Sequence, residues 1–482
     1  MHLNEFPTEI LASILKYAAE FNEREGVTFT FGLSQPLLRD QKKVQRYVRG
    51  PVPPPLLKWD STASIRQVCR RWHDWGLGYV FRDIYVRRWR GGERWCDLSL
   101  QRDKYSLYEM IDNPRGERVY RNPYQTLTRT RDFFAELPQF AVNVRRLWFD
   151  GLYVPETDAQ IIEILHSCRN LTTVTLPWTL LRNASPRDWA ELLGVRQAAP
   201  LHTLELHAID LPEKQAQEVL SVTDQRPLDS RMVDFSQLRR LKLFGDTKTR
   251  PINDDDLKAI ARTATSLEDF QITCMSTVTL DGVMAIVKAS RNTLRVLEHS
   301  PRAQDGFSHP HPGVYSENEH ICDILTSCPK LQDLSISLPS MCASLFSNTR
   351  VLWKGDCQVR ALHLCGHEEG STSNAAIVAM KDLLRQARRL ITCRANAYFP
   401  EQLTIELFFG DYIFDPHIES VHGDFSMAEL ISQGTWPSRK MLSRKGPYGT
   451  TGLYGKKDEE HPFDRVSEDD FFSGVGRTLV QL

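Results

Sequence analysis

Cys357, His363, Cys365 and His367 are the grouping of thiols and imidazoles that invites a metal reading. Zinc takes such ligands, but His363 and Cys365 alternate along a strand-like stretch and share one face, and the set matches no finger spacing. We therefore expect no metal and no cofactor. Gly449 to Lys457 holds glycines and a lysine, as a phosphate loop would. Yet Thr450 stands where the first glycine is required, and Lys457 where the hydroxyl that holds magnesium belongs. No Gly-x-Ser-x-Gly, His-Glu-x-x-His or paired-carboxylate constellation stands out. The residues thus predict a binding protein and not an enzyme.

Binding then falls to apolar side chains, and these recur at helical spacing near the amino end. Pro7 suits a first helical turn and Glu9 the positive end of a helix dipole, so a helix is predicted over residues 6–18 with Ile10, Leu11, Ile14, Leu15 and Ala18 as its stripe. A second stripe comes after Asp60 and Ser61, through Ile65, Val68, Cys69, Trp72 and Trp75. Short helices with apolar residues on several faces cannot bury them all internally, so a partner is expected to cover some.

Phe6-Pro7-Thr8-Glu9-Ile10-Leu11 with Ile14 and Leu15, then Val68-Cys69-Arg70-Arg71-Trp72, then Phe81-Arg82-Asp83-Ile84, resemble the F-box over residues 4 to about 86. Phe6 stands where that family usually has leucine. An insertion from about 21 to 58, with the extended run from Pro51 to Pro55, separates the halves, as in fungal members. The resemblance implies docking onto a Skp-family adaptor and through it a cullin. Phe6, Pro7, Ile10, Leu11, Ile14, Leu15, Val68, Cys69 and Trp72 would be the adaptor-binding residues.

Beyond residue 140 an L-x-x-L-x-L pattern returns, with middle residues Leu147, Val174, Leu204, Leu241, Phe270, Leu297, Leu334 and Leu362. Steps of 27, 30, 37, 29, 27, 37 and 28 residues are the mark of stacked supersecondary units, and Leu390 falls another 28 on. Two intervening stretches match closely: Ile161 to Leu171 with Ser167-Cys168, and Ile321 to Leu331 with Ser327-Cys328. They resemble cysteine-containing leucine-rich repeats, in which the cysteine closes a helix before the next strand. The position of the usual asparagine ladder is instead Leu152, Thr179, Ile209 or Met275, so the array is irregular.

The expected fold class is α/β, an N-terminal helical F-box followed by an irregular leucine-rich-repeat solenoid with a curved parallel sheet and outer helices. Boundaries are expected at 1–86 for the F-box, 87–130 for a linker, 131–409 for the solenoid and 410–482 for a cap or tail. Leucines point inward in such strands, so the residues beside them face the concave surface. Arg146, Trp148, Asp150, Glu205, His207, Arg240, Lys242, Phe244, Asp269, Gln271, Asp333 and His363 are then the candidate contacts for an unknown protein substrate.

These readings together predict a substrate-recognition subunit of a ubiquitin ligase. A non-degradative F-box scaffold and a GTPase-activating regulator on a repeat frame are the alternatives. With 60 basic and 61 acidic side chains, the net charge of −1 supplies no field to draw the chain onto nucleic acid or an anionic membrane. Arg87, Arg88, Arg90 and Arg94, interleaved with Trp89 and Trp95, read as a solvated face lying on the tryptophans. No apolar run reaches the roughly 18 residues of a membrane span. The first twenty residues lack the pattern of a secretory signal, and 10 cysteines without a C-x-x-C pair read as reduced thiols. Cytoplasm, nucleus or both are the expected compartments.

Overall fold

The computed structural model describes residues 3–31, 61–87, 109–112, 118–121, 124–150, 155–195, 199–208, 226–245, 251–273, 275–301, 311–364, 373–396, 402–409, 412–423 and 464–476. The phosphate-loop-like glycines, the cluster from Arg88 to Trp95, Cys365 and His367 lie outside them. The chain is mixed α/β and divides into two compact units, one running to Leu201 and one taking in His202 and most of the chain beyond it.

The first unit opens with α1, Thr8–Phe31, longer than its sequence stripe predicts. The Pro7 carbonyl accepts from the Leu11 amide at 3.0 Å and so starts the helix. The second stripe is not one helix but two, α2 at Ala63–Arg66 and α3 at Arg70–Val80. Between them Cys69 is extended, with φ −162° and ψ 169°. That break turns Ile65 into the core while leaving Val68 outside.

Strand β1, Asp83–Arg87, comes next. The stretch expected as a linker contains a hairpin of β2, Glu109–Asp112, and β3, Arg118–Arg121, then helix α4, Gln125–Glu136. After it stand α5 at Pro138–Ala141, β4 at Arg146–Asp150, α6 at Pro155–Ser167 and β5 at Thr173–Pro177. Helices α7, Leu180–Asn183, and α8, Pro186–Ala190, complete the unit.

β1, β4 and β5 are parallel neighbours with Ile84, Leu147 and Val174 in register. The amino-terminal helical segment therefore does not end at a linker: its last residues are the first strand of the parallel sheet. Phe81, just before that strand, packs on Phe133 and Phe140 with ring centroids 5.5 and 4.7 Å away.

The second unit carries seven parallel strands: β6 Thr203–His207, β7 Arg240–Phe244, β8 Asp269–Thr273, β9 Val296–Ser300, β10 Asp333–Met341, β11 Gly355–Leu364 and β12 Leu403–Phe409. Helices α9 Asp254–Ala261, α10 Leu280–Ala289, α11 Ile321–Thr326, α12 Ser344–Ser347 and α13 Ser373–Asn396 lie between them in sequence. Leu204, Leu241, Phe270, Leu297 and Leu334 stand in one register row, each 0% exposed. Fully burying such a side chain is worth about 1.5–3 kcal/mol, so each rung of this ladder stabilises the sheet on that order. Gly245 ends β7 at φ +92°, where a Cβ would fall 1.8 Å from the Ala208 carbonyl oxygen. The neighbouring strand exits too close for any side chain there.

Two repeat positions differ from expectation. Ser335 pairs with Gln358 and Ile336 with Val359, so Cys357, not Leu362, continues the row from Leu334. Leu390 begins no strand: it is buried on the inner face of α13 with Leu383, Leu384 and Ala387. Spacing of three and four residues marks a helix, and β12 supplies the next strand.

Antiparallel β13 Tyr412–Asp415, β14 Ser420–Gly423 and β15 Asp464–Ser467 continue the sheet after β12, with helix α14, Glu468–Gly476. Phe471 of α14 sits edge-on to Tyr412 and Phe414 at 5.0 and 5.2 Å, and Glu468 pairs with Arg388 of α13. These elements cover the last parallel strand, as an array end requires.

Cys168 and Cys328 occupy the matching helix ends, their amides donating to Leu165 and Leu325. Burial pushes their thiols up to about 12 and about 11, which leaves them inert. Among the described residues no helix is long and apolar enough to cross a membrane.

Candidate functional site

In the first unit, Leu11, Leu15, Ala19 and Ile65 form a small core, with Phe6, Trp72, Trp75 and Tyr79 packed against it. Asn4 ties the motif's two halves together. Its side-chain oxygen accepts from Trp72 Nε1 at 2.8 Å and its carbonyl from Arg71 Nη1 at 2.8 Å. Arg71 Nη2 also donates to the Phe6 carbonyl at 3.3 Å and to Thr8 Oγ1 at 3.0 Å. Asn4 and Arg71 escaped the sequence reading, because a polar clamp leaves no periodic trace.

The nine expected adaptor-binding residues therefore separate by burial. Leu11 and Leu15 are 2% exposed and face inward, which removes them from any docking surface. Phe6, Cys69 and Trp72 are half-buried, and Pro7, Ile10, Ile14 and Val68 are exposed. Ile10 (48%), Ile14 (36%), Tyr17 (70%) and Phe21 (57%) recur at steps of four and three along α1, and Val68, in the motif's other half, is 58% exposed. Residues at that spacing share one face of a helix, so the four make a continuous apolar stripe. Tyr17 and Phe21 extend it beyond the residues predicted.

The strand candidates occupy register rows. In the first unit Arg146 is exposed, 4.0 Å from Asp83, and Trp148 is half-buried; Asp150 ends β4, and its side chain lies outside the described residues. In the second unit Arg240 lies 3.9 Å from Asp269, and Lys242 lies 3.8 Å from Glu205. Each pair joins neighbouring strands: Arg240 is exposed beside a half-buried Asp269, and Lys242 and Glu205 are both half-buried. Phe244 is half-buried, edge-on to His207 at 5.8 Å. Asp333 is half-buried, whereas His363, exposed opposite Ser340, alternates with Val359 and Ala361 and so falls on the leucine side of the sheet, not on the expected face with Gln358 and Arg360.

Not all of this face is solvated as expected. Exposure falls along β6 and β8, where His207 is 6% and Gln271 4% exposed. Gln271 instead donates to Asp269 at 2.8 Å. The buried row continues through Glu298, Ser335 and Gln358 to a half-buried Glu406. Beside it stands Arg360, 1% exposed, a residue the sequence reading missed because the repeat frame at Leu362 was displaced. Arg360 donates to Ser335 Oγ at 2.6 Å, Ser337 Oγ at 3.3 Å, the His299 carbonyl at 3.3 Å and Gln358 Oε1 at 3.4 Å. Phe408 closes the guanidinium face at 5.7 Å. This set fixes side chains from three strands and makes the face rigid rather than adaptable.

His299 turns to the other side of β9, in register with Ile272. Burial, and second the charge of Arg360, push its imidazole down to about 4 from an ordinary 6.5. Between these values the unfolded chain binds a proton that the native chain refuses, so stability rises with pH across that window. The native fold should lose about 3 kcal/mol between neutral pH and pH 4 from this group. Urea titrations over that range should show His299→Phe losing correspondingly less than the parent chain.

No family model matches the chain, and no curated protein matches its sequence.

Proposed function

We propose that the chain is the substrate-recognition subunit of a Skp–cullin–F-box type ubiquitin ligase, acting in cytoplasm or nucleus. The observation that carries this reading is the uncovered stripe of Ile10, Ile14, Tyr17 and Phe21 with Val68, on helices that already possess their own core. A folded helix gains nothing by exposing four large apolar residues in a line, unless a second chain buries them. The F-box resemblance names that second chain as a Skp-family adaptor.

The target protein is held by the sheet, where Arg240, Lys242, Glu205 and Asp269 offer charge and Phe244, at the far end of β7, offers a half-buried aromatic edge. The subunit performs no chemistry itself. It raises the effective concentration of a target lysine near a ubiquitin-loaded partner, which is catalysis by proximity.

Co-expression of the full chain with a Skp adaptor and a cullin amino-terminal domain tests the reading. A stable three-component complex is the expected result. Recovery of adaptor without cullin would favour the scaffold reading, and recovery of neither would refute both.

A further inference from the structure

The second unit brings together His320, Cys322 and Cys342, residues outside the docking and target-contact sets named above. His320 is the residue preceding α11, Cys322 lies in that helix's first turn, and Cys342 directly follows β10. Cys322 Sγ and Cys342 Sγ are 3.4 Å apart, and Cys342 Sγ is 3.6 Å from His320 Nε2. All three donor atoms lie within 4.8 Å of one another.

We propose that these three residues hold a zinc ion, which clips the start of α11 to the end of β10. Zinc bonds of about 2.3 Å to sulfur and 2.0–2.1 Å to nitrogen, at tetrahedral angles, place sulfur about 3.8 Å from sulfur and about 3.5 Å from nitrogen. The observed sulfur–sulfur separation is about 0.4 Å shorter than this, the Cys342–His320 separation about 0.1 Å longer, and the third pair lies within 4.8 Å. A disulfide needs sulfurs at about 2.05 Å, so the two thiols are not bridged, and without metal Cys342 hydrogen-bonds both Cys322 and His320. A tetrahedral cation would draw the same three donors onto one centre.

Two thiolates and an imidazole are soft to borderline donors, which exclude magnesium and calcium and suit zinc. Binding converts both thiols to thiolates and releases their two protons to solvent. Cys322 is 3% exposed whereas His320 is exposed, so the fourth tetrahedral position faces outward and is filled by water. This triad is not the grouping around His363 read from the sequence. Cys322 and Cys342 stand well apart in sequence, and the return of β10 to α11 brings them together.

Cobalt titration of the full chain, stripped of metal and kept reduced, tests the site. A single cobalt per chain is expected, with a thiolate charge-transfer band and tetrahedral visible absorption, both erased by zinc. Cys342→Ser and Cys322→Ser should each weaken cobalt binding at least about tenfold, whereas Cys393→Ser, at an exposed cysteine of α13, should not. If a cysteine variant fails to fold, His320→Gln changes an exposed side chain and should show the same tenfold loss. The proposal is overturned if the reduced chain shows no thiolate band, or if His320→Gln and both cysteine variants keep it at parental affinity. Recovery of a Cys322–Cys342 disulfide together with no cobalt uptake after reduction would overturn it equally.

Discussion

Ile14→Asp combined with Val68→Asp is expected to abolish adaptor capture, by a hundredfold or more, while changing the stability of the chain by no more than about 0.5 kcal/mol. Both side chains are exposed, so the free chain tolerates the carboxylates. In a complex each would be an unpaired charge in an apolar contact, and a loss of about 1.4 kcal/mol per site is already tenfold in affinity. Two sites near the centre of an interface reach the hundredfold loss without special assumptions. Leu15→Ala provides the contrast. It should destabilise the helical segment by about 2–5 kcal/mol, since Leu15 is 2% exposed within the core. Capture measured beside a thermal melt separates the two cases, and full capture by the double aspartate variant would remove the proposed docking surface.

Arg360→Ala is expected to cost the second unit about 3–5 kcal/mol, read as a lowered urea midpoint with an unchanged slope. The guanidinium is 1% exposed and supplies hydrogen bonds to two serine hydroxyls, a carbonyl and a glutamine oxygen. Truncation strips those acceptors and leaves a cavity beside Phe408. Arg360→Lys should rescue little, because one ammonium cannot reproduce a planar fork that serves acceptors on separate strands. Arg360→Met keeps the volume and should be milder than alanine. All three variants lose the fixed guanidinium geometry, so the fold, not a binding step, fails in each. In the methionine variant the imidazole of His299 should also titrate higher than about 4, though still below its ordinary 6.5, because burial is the larger cause of its shift.

The strands were legible because an apolar triplet at fixed spacing has one economical explanation, and Leu204, Leu241, Phe270, Leu297 and Leu334 do fall in one row. Leu362 and Leu390 misled for a physical reason: apolar spacing alone does not distinguish a displaced strand register or a buried helix face from the next repeat. The docking helices were legible as helices, but not in orientation. Ile10 and Leu11, or Ile14 and Leu15, are adjacent apolar pairs straddling two faces, and periodicity cannot say which member turns toward Ile65 and which toward solvent. Burial of Gln271 and Arg360 depends on contacts between strands far apart in sequence. The same holds for the meeting of Cys322 with Cys342, whose separation hides it from any local pattern.

Helix α3 passes into β1 through only Phe81 and Arg82, and β1 is laid against β4 along its whole length. There is no swivel at that junction. Any protein gripping the amino-terminal helices would take hold of a lever arm already welded to β4 and β5, so orientation imposed at one end would be transmitted through this unit as a solid, not averaged away by a slack tether.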